Sequence, residues 1–186
     1  MTAITDLSAL DLSKAVHERT LSCREVMAAY LERIGKINPA INALVSLRDG
    51  DSLLAEAAER DAELDAGRSR GWMHGLPHAV KDLSEASGIP CVYGSPIYRD
   101  FVPDFDDIQV ERIRAQGAIF IGKTNTPEMG LGSHTYNPVF GPTRNPYDTS
   151  KSAGGSSGGA AAALAAHLVP VADGSDMMGS LRNPAG

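Results

Sequence analysis

Cysteine, aromatic side chains and clustered basic charge are all scarce in this sequence. Only two cysteines, Cys23 and Cys91, occur in 186 residues, and neither lies in a CxxC pair. Such sparse thiols argue against a disulfide scaffold and fit a reducing compartment. Lys and Arg number 17 against 23 Asp and Glu, and they form no basic block. The net charge of −6 therefore argues against direct binding of nucleic acid or of a membrane surface.

Long hydrophobic runs are missing too. The N-terminus, MTAITDLSALDLSKAV, has neither a basic region nor an unbroken apolar core, so it does not resemble a signal peptide. No stretch approaches the ~20 apolar residues of a membrane helix. We therefore expect a cytoplasmic protein. Because its histidines and carboxylates show no ligand spacing, we expect no metal. We expect no other cofactor either.

The apolar pattern changes near Gly75. Before it, the sequence predicts a helix that begins with the capping box at 22–25, a strand at 41–47 and a helix over 51–66. After it, buried strands are predicted at 76–80 and 118–122, with a helix over 106–117 between them. This alternation indicates an α/β fold, with a helical scaffold over 1–74 and a core segment over 75–186 within a single domain.

The last third mixes irregular and regular sequence. Residues 127–155 have little periodicity and are predicted to be a long functional loop. An Ala-rich helix, a strand at 168–172 and a helix entered near Ser180 should follow. Because six residues are too few to bury a helix face, we expect the chain to be an N-terminal portion of a larger fold.

The stretch GGSSGGAAAALAA, residues 154–166, allows several functional interpretations. It is no linker, because it runs into an apolar helix whose entrance must be buried. A phosphate cradle stays open, although the GxxxxGK[ST] pattern is absent. A GxSxG nucleophile elbow fits poorly, since loop sequence precedes it and no histidine lies beyond His167.

Two further residues offer chemistry. Lys81 ends an apolar run, where burial would lower its pKa and make it a base near neutral pH; the alternative is a lysine with a solvated tip. Ser180 lies at a helix entrance, where free amides can hold an oxyanion; the alternative is an ordinary N-cap serine. The histidines lack triad spacing and are interpreted as structural: His17, His74, His78, His134 and His167.

Five motifs together resemble the amidase signature family in order and spacing: GLPHAVKD, GAIFIGKTNTPE, FGPTRNP, GGSSGGAAAALAA and GSDMMGSLRNPA. The resemblance covers about residues 75–186, while residues 1–74 match only in being helical. It implies a mixed β-sheet core flanked by helices, of which this chain would be the first part. It also implies hydrolysis of a small-molecule amide by a Ser–cis-Ser–Lys triad.

The resemblance assigns roles to particular residues. Lys81 would be the base, Ser156 the proton relay held by a cis peptide bond, and Ser180 the nucleophile that forms an acyl-enzyme. The expected oxyanion and substrate contacts are Met177, Met178, Gly179, Gly130 and Ser133. The expected supports of the site are Gly154, Gly155, Ser157, Gly158 and Asp176, the glycines because they let the backbone bend tightly.

One position departs from the family pattern, and alternative functions remain. Met178 replaces a glycine that often precedes the nucleophile, which implies either a different oxyanion loop or a methionine in the acyl pocket. The first alternative function is the amidase subunit of an aminoacyl-tRNA amidotransferase, which frees ammonia from glutamine and needs partner subunits. The second is an inactive or phosphate-binding relative. The oligomeric state, including a homo-oligomer, stays open.

Overall fold

The structure is a computed structural model that describes residues 3–186. In this part of the chain the α-helices are α1 (Ala9–His17), α2 (Cys23–Ile41), α3 (Gly50–Asp65), α4 (Ile108–Ala115), α5 (Gly158–Ala165) and α6 (Arg182–Ala185). The strands are β1 (Leu44–Val45), β2 (Pro77–Lys81), β3 (Ile119–Thr124), β4 (Tyr136–Asn137), β5 (Gly141–Pro142), β6 (Arg144–Asn145), β7 (Asp148–Ser152) and β8 (Val171–Ala172).

The central sheet has the strand order β1-β3-β2-β8. Strand β2 runs parallel to both β3 and β8, whereas β1 pairs antiparallel with β3. Every residue of β2 and β3 is buried, as expected for strands covered by helices on both faces. The predicted α/β fold, a mixed sheet flanked by helices, is thereby confirmed.

The helices before the sheet share its core. Helix α2 begins with the predicted capping box, in which Ser22 and Glu25 satisfy each other's backbone amides. Its buried face, which includes Met27 and Tyr30, belongs to the same hydrophobic cluster as Leu76, the residue directly before β2. Strand β1 also lies in the central sheet, so residues 3–74 and 75–186 are joined by both core packing and strand pairing.

Three predicted elements were wrong in extent. The strand at 41–47 shrinks to β1, because α2 continues to Ile41 and the Asn38 side chain then binds the amides of Ala43 and Leu44. The strand at 168–172 shrinks to β8. The segment 127–155 contains two short antiparallel pairs, β4–β5 and β6–β7. These strands are largely polar and partly exposed, so they carry no apolar alternation from which they could be predicted.

Helix α5 packs against the sheet through its glycine entrance. Gly158 and Gly159 are buried, and a Cβ at Gly159 would lie 2.2 Å from the backbone N of Asn125 and 2.5 Å from its O. A Cβ at Gly158 would lie 2.1 Å from Thr135 Oγ1. Glycine is thus required at 159 by a close approach of backbone to backbone, and at 158 by the close approach of the Thr135 side chain.

Replacing Gly159 with alanine is expected to destabilise the protein by about 3 kcal/mol or more, because the clashing atoms are backbone and cannot move aside cheaply. The matched control is Gly35→Ala in α2, where a Cβ meets nothing within 4 Å. That change should raise the free energy of unfolding by about 0.5–1 kcal/mol through helix propensity. Urea unfolding measures both. Equal effects of the two substitutions would contradict the close approach at Gly159.

Candidate functional site

Lys81, the last residue of β2, is buried beneath a cluster of serine hydroxyls. Its side chain is 1% exposed. Nζ lies 2.9 Å from Ser156 Oγ and 2.8 Å from Ser157 Oγ. It also lies 3.0 Å from Ser175 Oγ and 3.4 Å from the Ser175 carbonyl oxygen. The amine therefore has more acceptors than protons, and its nearest partners are neutral groups.

This environment changes the acidity of the amine. Burial lowers the pKa of Lys81 to about 8, and the negative charges of Asp173 and Asp176 oppose that shift only in part. Desolvation dominates because moving an ammonium ion out of water is costly unless a counter-charge pairs with it. No carboxylate within residues 3–186 forms a salt bridge with Lys81. A substantial fraction of Lys81 is therefore neutral, and able to accept a proton, slightly above neutral pH.

The serine pair is positioned by the entrance of α5. The peptide bond between Gly155 and Ser156 is cis, which agrees with the implied geometry. Ser156 is 2% exposed, and its hydroxyl points to Lys81. Ser157 was expected only to support the site, but its hydroxyl contacts the amine directly, and its amide donates to the carbonyl oxygen of Ser180 at 2.8 Å.

The glycines on both sides of the serine pair act differently from the expectation. Gly154, Gly155, Gly158 and Gly159 all lack a positive φ, so their special backbone freedom is not used. A Cβ at Gly155 would lie 3.0 Å from the Gly132 carbonyl oxygen, so this residue too is held by close packing. The physical reason for glycine here is the small space between neighbouring backbones.

Asp176 organises the turn that carries Ser180. Its carboxylate accepts hydrogen bonds from the amides of Gly179, Leu181 and Arg182, and from the Arg182 guanidinium. The hydrogen bonds from Arg182, followed by those from the backbone amides, hold the pKa of Asp176 well below its usual range. The expected oxyanion loop is therefore fixed by one side chain that bonds to several amides.

A cavity of about 370 Å³ opens beside Ser180. It is lined by Gly130, Leu131, Gly132, Ser133, Gly155, Met177, Met178, Gly179, Ser180 and Asn183. The structure thus brings the five expected contact residues together next to the expected nucleophile. None of the lining side chains carries a charge, and the two methionines are largely exposed. This surface suits a neutral, mainly apolar group.

Met178 fits its position without the backbone freedom of glycine. Its φ is not positive, whereas the following Gly179 takes a φ of 102°. The structure therefore agrees with the second of the two expectations for this departure, since the methionine side chain borders the cavity. Its backbone needs no conformation that L-residues avoid.

In the described part of the chain, the structure lacks one hydrogen bond that the predicted relay requires, and it adds three residues to the surroundings of Lys81. Among residues 3–186, no hydrogen bond joins the Ser156 and Ser180 side chains, although the relay would need one. Ser175 and Asp173 were not predicted: Ser175 contacts the amine of Lys81, and Asp173 binds its backbone amide. His78, interpreted as structural, lies 3.2 Å from Asp173. The sequence offered one indication that Ser175 lies near the site, namely its position next to the predicted site residue Asp176.

Other kinds of site receive no support from the described chain. Residues 3–186 contain no group of three or more His, Cys, Asp or Glu side chains arranged to hold a metal ion. Within the same range, no helix combines the length and apolar character needed to cross a bilayer.

The acidity of Lys81 can be measured without any assumption about function. Its side chain should titrate near pH 8, followed by heteronuclear NMR of labelled lysine, because burial disfavours the ammonium form. The resonance is assigned by its loss in Lys81→Met. A midpoint above about 10, the ordinary range for lysine, would contradict the burial of the amine.

Comparison with known proteins agrees with the motifs. A family model described as Amidase matches residues 25–186. An acylamidase of Rhodococcus erythropolis is 42% identical over 179 residues, which cover 96% of this chain and 37% of that protein. A subunit of the glutamyl-tRNA(Gln) amidotransferase of Acidothermus cellulolyticus is 42% identical over 178 residues, 96% of this chain and 35% of that protein.

A solved structure gives the same result for the fold. The native peptide amidase from Stenotrophomonas maltophilia superimposes with a TM-score of 0.89 at 37% identity, over 97% of this chain and 38% of that one. The chain thus spans little more than a third of the length of the relatives that it matches. The resemblance seen in the five motifs is confirmed, and the chain belongs to the amidase family.

Proposed function

We propose that this chain carries the catalytic residues of an amide hydrolase that forms an acyl-enzyme on Ser180. The observation that carries the proposal is the buried amine of Lys81, 2.9 Å from the Ser156 hydroxyl, with a pKa lowered to about 8. A lysine with these properties can act as a general base near neutral pH. Membership of the amidase family supports the same assignment.

The proposed reaction begins with two proton transfers. Neutral Lys81 takes the proton of Ser156, Ser156 takes that of Ser180, and Ser180 Oγ forms a bond to the amide carbon. The C–N bond then breaks as the relay returns the proton to the departing amine. Water cleaves the resulting ester by the same route, which regenerates the serine.

Backbone amides of the Met177–Ser180 loop would hold the oxyanion. The Gly179 amide already donates to Asp176, so the donors left for the oxyanion are the amides of Met177, Met178 and Ser180. Each donor of this kind typically lowers the barrier by about 2.7–4 kcal/mol. Asp176 contributes by orienting the loop.

The cavity favours a neutral amide as the substrate. Glutamine carries an ammonium and a carboxylate that need charged or strongly polar partners, and no charged side chain lines the space beside Ser180. Leu131, Met177 and Met178 offer apolar contact instead. We therefore favour hydrolysis of a small, uncharged carboxamide.

The amidase subunit of an aminoacyl-tRNA amidotransferase is the second candidate, because relatives named as such subunits are as similar to this chain as the acylamidase is. The two functions differ in substrate and in dependence on partners. Release of ammonia from glutamine only in the presence of partner subunits, without hydrolysis of neutral amides, would favour the second candidate.

The roles of the triad can be tested by substitution. Ser180→Ala and Lys81→Ala should each reduce turnover of a neutral amide at least about a thousandfold, and Ser156→Ala about a hundredfold to a thousandfold. The control is Ser52→Ala in α3, an exposed serine bonded only near its own turn, which should leave turnover unchanged. Wild-type turnover in Ser180→Ala would overturn the proposal.

A fluorophosphonate probe tests the site directly, by intact mass and peptide mapping of the adduct. A single adduct on Ser180 that disappears in Lys81→Ala is expected. An adduct on Ser156 would instead indicate a nucleophile elbow. An unlabelled protein with bound inorganic phosphate would indicate a phosphate-binding relative.

The pH dependence follows from the pKa of Lys81. Because the base is the neutral amine, hydrolysis should rise as pH increases through about 8 and become constant above it. Each unit below this value should cost about tenfold in kcat/KM. A rate that is already constant above about pH 7.5 would contradict lysine as the base, since a base with the ordinary pKa of His or Glu would then act.

A further inference from the structure

His78 and Asp173 form a buried pair beside the site. His78, the second residue of β2, is 1% exposed, and its Nε2 lies 3.2 Å from Asp173 Oδ1. Its other ring nitrogen, Nδ1, has no hydrogen-bond partner within residues 3–186. The Asp173 contact is thus the ring's single polar interaction there, and Nε2 must carry the proton that it donates to the carboxylate.

The Asp173 carboxylate takes the place of a backbone hydrogen-bond acceptor at the end of β8. Strand β8 ends at Ala172, which pairs with Ala79 of β2. Beyond this point, the backbone amide of Lys81 donates to both oxygens of Asp173, at 3.1 and 3.3 Å. A side chain therefore takes the hydrogen bond that a strand carbonyl would otherwise accept, and the chain can leave the sheet at once.

The departing chain leads directly to the reacting groups. Two residues after Asp173, Ser175 contacts the Lys81 amine through its hydroxyl at 3.0 Å. Between them, a Cβ at Gly174 would lie 2.7 Å from Leu181 Cδ1 and 3.0 Å from Ser157 Oγ. The backbone is closely packed at Gly174, directly after Asp173, so a displaced Asp173 would move Ser175 and the turn that carries Ser180.

From this geometry we propose that His78 and Asp173 are a positioning pair: the ring holds the carboxylate, and the carboxylate holds the Ser175–Ser180 segment against the strand that bears Lys81. The inference rests on the proposed function, because it assigns the pair to the same nucleophile and base. It makes His78 a part of the site's support, although it touches neither the substrate cavity nor the amine.

The charge of Asp173 gives the pair a second, measurable effect. Its carboxylate and that of Asp176 are the negative groups that favour the ammonium form of Lys81. The His78 ring also packs on Phe120 of β3, with ring centroids 5.8 Å apart. The guanidinium of Arg114 in α4 lies over the Phe120 ring, 4.5 Å from its centroid. Removal of the Asp173 charge should therefore lower the pKa of Lys81 further.

The test measures the rate of fluorophosphonate labelling at Ser180 from about pH 6 to about pH 10, a range that spans the titration of the base. Asp173→Asn keeps an oxygen for the Lys81 amide but loses the charge. It should move the rise in labelling rate to lower pH by about one unit. The charge of Asp176 is unchanged in that variant, so the shift measures the loss of the Asp173 charge.

His78 is tested by a pair of substitutions. His78→Leu keeps the packing but cannot hold the carboxylate, so labelling should fall about tenfold across the whole pH range, the cost of a lost hydrogen bond to a charged group. His78→Gln restores a donor and should recover most of the rate. Rates are compared at equal folded fraction, measured by thermal unfolding.

The matched control is His74→Gln. His74 is also fully buried, but its Nε2 contacts the carbonyl oxygen of Arg60, away from the cavity. This variant should lose stability without a change in the labelling rate or its pH profile. If His78→Leu and Asp173→Asn behave like His74→Gln, the positioning pair is overturned while the proposed function stands. An unlabelled wild-type protein would overturn both.

Discussion

The burial of the Lys81 amine is the constraint on which the arrangement of this site depends. A buried ammonium must find hydrogen-bond partners or lose its proton, because burial without compensation costs several kcal/mol. The partners here are hydroxyls from two separate segments, the entrance of α5 and the chain that follows β8. The nearby carboxylates are occupied with backbone amides, so they stabilise the ammonium only from a distance.

The topology explains why these segments meet. Strands β3, β2 and β8 are parallel, so their carboxyl ends lie at one edge of the sheet. Lys81 ends β2 at that edge, and the chain leaves β8 beside it. Crevices at the carboxyl ends of parallel strands are the usual place for ligands in open α/β sheets. The Ala-rich helix α5 approaches closely enough to add its serines because Gly158 and Gly159 have no side chains.

The sequence was a better guide to the proposed residues of the site than to their surroundings. Lys81, Ser156 and Ser180 stand in motifs whose order is diagnostic, and the buried α5 follows from its composition. The contacts that Asp173 and Ser175 make with Lys81 could not be predicted, because the partners lie more than 90 positions apart in sequence and no role was assigned to either residue. His78 was noted in the sequence, but its contact with Asp173 was not predicted, because a lone histidine in a strand does not indicate which group its ring will contact. The short strands of 127–155 were missed because polar, half-exposed pairs have no hydrophobic period.

Two carboxylates, rather than regular secondary structure, fix the segment that carries Ser180. Asp173 binds the backbone of β2 at one end, and Asp176 binds the amides of the following turn at the other. Because both ends are held by side chains, the residues between them need no special backbone geometry apart from Gly179, which takes a positive φ. Met178, where the resemblance to the family led us to expect glycine, therefore needs no backbone conformation that L-residues avoid. The side chain at this position can therefore border the cavity beside Ser180 while the two carboxylates hold the backbone before and after it.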